Sequence, residues 1–213
     1  AVFISSRGTN MQSLVRACQT PDFPAEIACV LSNNLEAAGL KFAADNSIPT
    51  RTIDHRDFET REAFEAEITA YLEDLQIDLI CLAGFMRLLT EEFVNRWRDR
   101  ILNIHPSLLP AFKGLHVHER AIESGARFTG CTVHFVRPEM DNGPIIAQAV
   151  VPILEKDTPD ELAARILEQE HRIYPLALKL VAEGRVKIHG PRAMIERAQE
   201  QTLSLLNPKV ENF

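Results

Sequence analysis

The sequence predicts an α/β fold, a Rossmann-like and mostly parallel β-sheet with helices on both faces and a C-terminal antiparallel extension. In the first half of the chain, short apolar runs alternate with amphipathic stretches, which is typical of a parallel sheet covered by helices. One of these runs, 78–85, is wholly apolar, as expected of a strand buried on both faces. In the second half, two strand-like runs flank a connection rich in turn residues, which favours an antiparallel pair.

The first half supplies the parallel part of the predicted sheet. Helical spacing of apolar residues and N-cap signatures at Thr60 and Thr90 identify the helices. The predicted strands cover 1–5, 26–33, 50–53, 78–85 and 101–104, and the predicted helices cover 11–19, 36–46, 60–75 and 90–97.

The second half supplies the extension. Strands are predicted at 130–136, 144–153 and 186–190, and a long helix at 158–184. This helix begins after Thr158 with Pro159 at its first position, and we expect Pro175 to kink or interrupt it. Residues 191–213 show weak helical spacing. We predict a single domain over 1–189 and a tail of unknown role over 190–213.

Composition narrows the class of protein. The net charge is -7, and because phosphate contacts need clustered Lys and Arg, nucleic acid is not an expected partner. Cys18, Cys29, Cys81 and Cys131 form no C-x-x-C motif and are expected to be free thiols in a reducing compartment. With no signal peptide and no apolar run approaching about 20 residues, we expect a cytoplasmic protein without membrane contact. Ala1 falls within a strand-like run, so we expect a residue or two upstream.

The carboxyl ends of the predicted parallel strands are where an α/β sheet binds its ligands. The segment "SSRGTN", 5–10, follows the first strand and opens a helix, so Gly8 and the helix N-terminus could hold an anion, with Thr9 and Asn10 adding side-chain donors. A plain strand-to-helix turn explains the segment equally well. The segment "GFMRLL", 84–89, follows a buried strand and either lines an apolar slot for a flat ring or packs in the core.

Asn103 and His105 lie two residues apart on an extended segment, so their side chains point to one face. An amide N–H and an imidazolium that converge on one point can stabilise an oxyanion. If Asp141 reached His105, it would fix the ring and favour its charged form. The alternatives are a hydrogen-bonded His at a strand end and an ordinary turn at Asp141.

Other polar residues favour structural roles. His116 and His118 on one face are by themselves weak evidence for a metal site, so no metal is predicted. His134 is expected to be a core histidine, and Glu170 and His171 are expected on a solvated helix face. No serine-hydrolase elbow, Walker A motif or C-x-x-C is present in the sequence.

Five motifs together resemble those of the phosphoribosylglycinamide formyltransferases, a branch of the folate-dependent formyltransferases. They are "ISSRGTN", "LAGFMRLL", "LNIHPSLLPAFKGLH", "VHFVRPEMDNGPII" and "QEHRIYPLAL". The resemblance extends to about residue 189. "NIHPSLLP" with the later D-x-G-P is typical of the whole group, whereas S-x-R-G-T-N and "FKGLH" are typical of the glycinamide branch.

The resemblance implies transfer of a formyl group from the co-substrate 10-formyltetrahydrofolate to the amine of glycinamide ribonucleotide, in de novo purine biosynthesis and without a metal. In such a reaction the amine attacks directly, and Asn103 and protonated His105 stabilise the oxyanion. Asp141 keeps His105 charged and orders the water that carries a proton from the amine to the leaving nitrogen. The expected partners are these small molecules, and a homodimer is left open.

The resemblance also implies the site residues. The catalytic residues are Asn103, His105 and Asp141. The N-terminal half is the ribonucleotide-binding half, and the ribonucleotide contacts implied along the chain are Gly8, Thr9, Asn10 and Glu170. The C-terminal half is the folate-binding half, and the folate contacts implied along the chain are Arg61, Met86, Arg87, Leu88, Leu89, Asn103, Val136, Arg137, Pro138, Glu139, Met140 and Asp141. One departure is Ser6, which stands where the family has the first glycine of its phosphate loop, so the detail of that loop is open.

Three rival functions remain to be compared. In a formyltetrahydrofolate hydrolase, water replaces the amine, but hydrolases lack the Gly8-Thr9-Asn10 triplet and carry an N-terminal regulatory domain that we do not expect here. A methionyl-tRNA formyltransferase shares H-P-S-L-L-P but needs a basic C-terminal domain. A non-catalytic folate- or nucleotide-binding module has no need of Asn103, His105 and Asp141 together.

Overall fold

The computed structural model describes residues 1–198 and 202–207 and contains a seven-stranded sheet. The strands are β1 Val2–Ile4, β2 Val30–Ser32, β3 Thr50–Thr52, β4 Ile80–Leu82, β5 Ile101–His105, β6 Phe128–Phe135 and β7 Ile145–Pro152. They lie in the order β3-β2-β1-β4-β5-β6-β7. The strands β1 to β5 are parallel, and β6 and β7 continue the sheet in antiparallel pairing. The predicted fold class is therefore confirmed.

Helices cover both faces of this sheet. They are α1 Thr9–Cys18, α2 Ala38–Asp45, α3 Arg61–Asp74, α4 Glu91–Arg96, α5 Val117–Glu123 and α6 Pro159–Ala182, with a short 3₁₀ helix at His55–Asp57. Side chains alternate across a strand, so Ile4 of β1 packs in a core cluster with α1 and α6, while Phe3 packs in a second cluster with α3 and α4. The two clusters are the two hydrophobic layers of the fold.

Three predicted helix starts are confirmed by their N-caps. The hydroxyl oxygens of Thr60, Thr90 and Thr158 each accept a hydrogen bond from a backbone N–H in the first turn that follows. At Thr158 the carboxylate of Glu161 completes a capping box. The expected interruption at Pro175 is wrong, because α6 continues through it to Ala182. We attribute this to packing, since the neighbouring Tyr174 is fully buried.

The order of the strands places the loops that matter for function. After β1 the chain builds β2 and β3 on one side, and it then returns to add β4 on the other side of β1. The loops after β1 and β4 therefore diverge from neighbouring strands and open a crevice at the carboxyl edge of the sheet. The carboxyl end of β5 lies beside β4 at the same edge.

The C-terminal segment differs from the expectation. Val186–His189, strand β8, pairs with Arg192–Ile195, strand β9, in a separate two-stranded antiparallel sheet. The helical spacing expected from residue 191 onward is wrong at 192–195, where exposure alternates with the period of a strand. The hairpin also crosses the boundary drawn between residues 189 and 190. Residues 199–201 and 208–213 of the predicted tail lie outside the described residues.

Two further expectations concern the chain as a whole. All four cysteines are free thiols, and Cys29, Cys81 and Cys131 are buried. Burial raises the pKa of Cys81 to about 11 and that of Cys131 to about 12, which keeps these thiols protonated. In residues 1–198 and 202–207, no helix has both the length and the apolar character that a membrane crossing requires.

Candidate active site

The centre of the candidate site is the carboxyl end of β5. Asn103 and His105 alternate with the buried apolar residues of this strand, so both side chains lie on the same face of the sheet. The antiparallel neighbour β6 sets His134 opposite Asn103 and Thr132 opposite His105. Directly opposed residues on one face contact each other, so β6 supplies the polar surroundings of both side chains.

His134 holds the amide of Asn103. Its Nδ1 lies 2.9 Å from the carbonyl oxygen of Phe135, which can only accept, so Nδ1 carries the proton. Burial lowers the pKa of His134 and keeps the ring neutral, which leaves Nε2 as an acceptor. Asn103 Nδ2 lies 3.3 Å from Nε2 and therefore donates to it. The predicted core histidine is buried, but it also orients a predicted catalytic amide, a role that the sequence did not indicate.

His105 is buried, and both of its ring nitrogens face acceptors. Nε2 donates to the carbonyl oxygen of Phe112 at 3.0 Å, and Nδ1 lies 3.5 Å from Asp141 Oδ2. Two acceptors around one imidazole suit the doubly protonated form, since both N–H groups then have partners. In this structure the Nε2–H of His105 is already hydrogen-bonded to the Phe112 carbonyl. A substrate oxygen that accepts a hydrogen bond from Nε2 must therefore replace that carbonyl.

Asp141 reaches His105 from the loop between β6 and β7. The aspartate has φ 52°, in the left-handed region that Asp tolerates better than most residues. Two residues later, a Cβ at Gly143 would lie 1.6 Å from the carbonyl oxygen of Phe135, so only glycine lets the loop fold back onto β6. Asp141 Oδ2 also accepts from Gly114 N–H at 2.8 Å. The turn residues of this loop therefore aim the carboxylate at the imidazole.

These three residues combine donors and a carboxylate around one point. The second N–H of the Asn103 amide is not used by His134, which accepts a single hydrogen bond at Nε2. An amide N–H beside an imidazolium can stabilise an oxygen that acquires negative charge. A carboxylate 3.5 Å from an imidazole can stabilise the charged form of the ring and can accept a proton through water. Such a site suits attack on a carbonyl carbon by a nucleophile that the substrate brings.

A cleft of about 460 Å³ opens beside Asn103, His105 and Asp141. It is bordered by the segment after β4, the end of β5, the start of α5 and the loop after β6. Of the predicted folate contacts, those lining the cleft are Met86, Arg87, Leu88, Leu89, Asn103, Val136, Arg137, Pro138, Met140 and Asp141. Arg61 and Glu139 are not part of this lining. The cleft also includes Leu115 and His118, which the sequence did not single out for this site.

Large apolar side chains stand exposed around the cleft. Met86 and Leu88 are 69% and 65% exposed, and Leu115 and Met140 are also exposed. An exposed apolar patch on a soluble surface usually marks a site of contact. Apolar side chains beside a few convergent polar groups are typical of a pocket for a flat heterocyclic ligand.

The loop after β1 forms a second part of the site. Gly8 has φ +63° and precedes the first turn of α1, and a Cβ there would lie 3.1 Å from Met11 Cε and 3.2 Å from Ile4 Cγ2. No side chain in the described part of the chain caps this helix, so its first N–H groups are available to an anion. Ser6 is not among the residues with positive φ, so its side chain imposes no left-handed strain on the loop.

Asn10 and Glu170 form a buried pair beside this loop. Asn10 Nδ2 donates to Glu170 Oε2 at 2.7 Å, and the two side chains are 9% and 6% exposed. Burial raises the pKa of Glu170, and the hydrogen bond from Asn10 opposes this shift. The Oδ1 atom of Asn10 is buried and has no partner within the described residues. The solvated face expected for Glu170 is therefore wrong, and the unpaired acceptor suits a ligand with a hydroxyl or amine donor.

His116 and His118, the pair considered for a metal site, lie at the start of α5, with His116 as its N-cap residue. No group of three or more metal-ligating side chains occurs among residues 1–198 and 202–207. His116 is exposed and lies 3.8 Å from Glu119, and His118 is partly buried on α5.

Fold and site together define a family of one-carbon transfer proteins. The formyl transferase family model matches residues 1–178, so the chain belongs to the formyl transferase family. Within that family it is similar over most of its length to a phosphoribosylglycinamide formyltransferase from Haemophilus influenzae, with 45% identity over 92% of each chain. The structure is similar to a glycinamide ribonucleotide transformylase from Symbiobacterium toebii, with TM-score 0.89, 46% identity and 92% of each chain covered.

Longer proteins contain the same unit. A trifunctional purine biosynthetic protein from Gallus gallus is 48% identical over 88% of this chain. The chain spans only 19% of the length of that relative, so the match concerns one part of a longer protein.

Proposed function

We propose that this protein transfers the formyl group of 10-formyltetrahydrofolate to the amine of 5′-phosphoribosylglycinamide. The observation that carries the proposal is the 3.5 Å approach of Asp141 Oδ2 to His105 Nδ1, on the same face of the sheet as the Asn103 amide. These three groups serve a reaction in which a carbonyl oxygen becomes negative and a proton must move. The similar proteins from Haemophilus influenzae and Symbiobacterium toebii support this choice of substrates.

The reaction proceeds by direct attack. The amine nitrogen of the ribonucleotide forms a bond to the formyl carbon, and the carbonyl oxygen becomes an oxyanion that accepts from Asn103 Nδ2 and from His105. The bond from the formyl carbon to N10 of the folate then breaks as the carbonyl re-forms. A proton passes from the attacking nitrogen to N10 through water ordered by Asp141. No covalent enzyme intermediate is needed, because the substrate brings its own nucleophile.

The formyl oxygen competes with the protein for His105. The Phe112 carbonyl now accepts the Nε2–H, and the loop that carries it has left-handed backbone at Phe112, Gly114 and His116. We propose that folate binding moves this carbonyl away and frees the donor. Asp141 keeps the ring in place during the exchange, because it contacts the other ring nitrogen.

The two substrates approach from different loops. The phosphate of the ribonucleotide binds at Gly8, Thr9 and the N-terminus of α1. Its sugar donors reach Asn10 and Glu170, where Asn10 Oδ1 has no partner among the residues that the structure describes. The pterin binds in the apolar cleft between Met86–Leu89 and Val136–Asp141. Arg61 and Glu139, which do not line the cleft, contact the outer part of the folate in this proposal.

Hydrolysis of the same folate is the alternative reaction. The uncapped helix N-terminus after Gly8 and the unpaired Asn10 acceptor favour a ribonucleotide over water as the acceptor of the formyl group. Placement in de novo purine biosynthesis, a cytoplasmic location and a homodimer stay predictions.

Formyl transfer can be measured directly. The protein is incubated with 10-formyltetrahydrofolate with and without the ribonucleotide, and formylated ribonucleotide and free formate are quantified separately. We expect formylated ribonucleotide to be the main product and to require both substrates. Formate release at the same rate with and without the ribonucleotide would instead identify a hydrolase. Folate binding without turnover would identify a binding module.

A further inference from the structure

The segment Phe85–Leu89, which borders the cleft, has little backbone support of its own. It lies between β4 and α4, and none of the backbone–backbone hydrogen bonds found in residues 1–198 and 202–207 involves it. Phe85 and Leu89 pack against the core cluster that contains Phe3, while Met86 and Leu88 point outward and are largely exposed. The position of the exposed side chains therefore depends on what holds the two ends of the segment.

Two side chains from other elements hold these ends. At the start, the hydroxyl oxygen of Ser5 accepts from Met86 N–H at 2.8 Å, and that hydroxyl donates to Asn33 Oδ1 at 2.6 Å. At the end, Glu65 of α3 binds Thr90, the residue that follows Leu89. Oε1 of Glu65 accepts from Thr90 N–H at 2.8 Å, and Oε2 accepts from the Thr90 hydroxyl.

Glu65 is an unusual residue for a purely structural contact. Its side chain is 4% exposed, and glutamate is seldom buried without a specific partner. Burial raises the pKa of Glu65, and the hydrogen bonds from Thr90 oppose this shift. Thr90 already caps α4, because its hydroxyl oxygen accepts from Phe93 N–H at 3.2 Å. The cap of α4 is therefore complete without Glu65, and the carboxylate instead ties the segment to α3.

The helix α3 also carries Arg61 at its first position, one turn before Glu65. Residues four apart on a helix lie on the same side. Glu65 therefore fixes the distance between the helix that carries Arg61 and the segment that carries Met86 and Leu88. Arg61 is a predicted folate contact, which we assign to the outer part of the folate, and Met86–Leu89 are predicted contacts for the pterin.

We propose that Glu65 is a positioning residue for the folate, which holds Met86–Leu89 at a fixed distance from Arg61 through its two hydrogen bonds to Thr90. This inference rests on the proposed function, since it concerns the folate side of that site. Glu65 acts on binding and touches neither the reacting carbon nor the ribonucleotide loop. Its loss therefore weakens folate binding and leaves the chemical step unchanged.

The test compares Glu65→Gln with Glu73→Gln. Gln keeps the size of the side chain but has only one side-chain oxygen. It therefore cannot accept the Thr90 N–H and the Thr90 hydroxyl on two separate oxygens, as Glu65 does. Glu73 lies on the same helix and joins α3 to α4 through Arg96 without contacting the segment, so Glu73→Gln is the matched control. We expect Glu65→Gln to raise the KM for 10-formyltetrahydrofolate by about tenfold, the effect of one lost hydrogen bond to a charged group. We expect kcat and the KM for the ribonucleotide to change by less than about twofold.

Variants of Thr90 keep the proposal testable if Glu65→Gln folds poorly. Thr90→Val removes the hydroxyl and is expected to raise the KM for the folate, whereas Thr90→Ser retains it and is expected to restore the wild-type value. Affinity for tetrahydrofolate, measured by titration calorimetry, should follow the same pattern. The proposal would be overturned if Glu65→Gln and Thr90→Val had the same KM for the folate as Glu73→Gln. It would also be overturned if these variants lowered kcat and raised both KM values to the same degree. Wild-type protein without formyl transfer would instead overturn the proposed function.

Discussion

The loop after β1 offers a quantitative test of ribonucleotide binding through the substitution Gly8→Ala. Gly8 has φ +63°, and a left-handed conformation costs a residue with a Cβ about 1–2 kcal/mol. The new Cβ would also lie 3.1 Å from Met11 Cε and 3.2 Å from Ile4 Cγ2, and this crowding adds about 1 kcal/mol. The total is about 2–3 kcal/mol of lost stability, or roughly 4–12 °C in Tm for a chain of this length.

Gly184→Ala separates backbone strain from the role of the loop. Gly184 has φ +68°, but a Cβ there meets no atom of residues 1–198 or 202–207 within 4 Å, and the residue follows the end of α6. Both variants are assayed well below their unfolding temperatures. We expect Gly8→Ala to raise the KM for the ribonucleotide by about tenfold or more, because the Cβ displaces the N–H groups that face the phosphate. Equal ribonucleotide KM values in the two variants, despite the lower stability of Gly8→Ala, would refute the phosphate-loop assignment.

Two further predictions concern buried polar groups. Glu170→Gln should raise the Tm at pH 8, because burial raises the pKa of Glu170 and so disfavours its charge, and because the new amide can donate to Asn10 Oδ1. The same variant should bind the ribonucleotide more weakly, and a lower Tm with unchanged binding would contradict this. His134 has its pKa lowered by burial, so stability should fall as the pH drops below the unfolded value of about 6.5, and less so in His134→Phe. His134→Phe should also lower kcat, since Asn103 loses the acceptor that orients it, whereas wild-type kcat would show that the contact is dispensable.

The sequence predicted the core of the site because local chemistry determines it. The spacing of Asn103 and His105 places them on one face of any strand, and the structure has them on one face of β5. The turn residues around Asp141 have a role that the sequence does not show. The structure shows it, since Gly143 allows the loop to fold back onto β6. An ordinary turn was the alternative interpretation of the segment around Asp141. The segment is a turn, and the pairing of β5 with β6 and of β6 with β7 brings it to His105.

The contacts that were missed depend on register and on backbone groups. His134 meets Asn103 only through the pairing of β5 with β6, which no local pattern reveals. The contacts of the Phe112 carbonyl and of the Gly114 N–H are made by backbone groups. Such groups occur all along a chain, so these contacts carry no sequence signature. Glu170 was expected in solvent, because its partner Asn10 lies 160 residues earlier in the chain.

The boundaries of helices were predicted better than those of strands. Runs 26–33 and 78–85 predicted strands of eight residues, but pairing defines only Val30–Ser32 and Ile80–Leu82, because each run extends beyond the residues that pair. Helix starts were predicted accurately where a threonine caps the first turn, as at Thr60. Strand β9 was missed because its alternating exposure extends over only four residues.

The central claim is that Asp141 acts through His105 on the oxyanion. A double-mutant cycle on kcat for formyl transfer, with His105→Ala, Asp141→Asn and the double variant, tests it most directly. We expect each single change to lower kcat by roughly 10²-fold or more with little change in KM, and the double variant to be about as slow as the slower single variant. Losses that multiply fully in the double variant, or near-wild-type turnover in either single variant, would contradict the account.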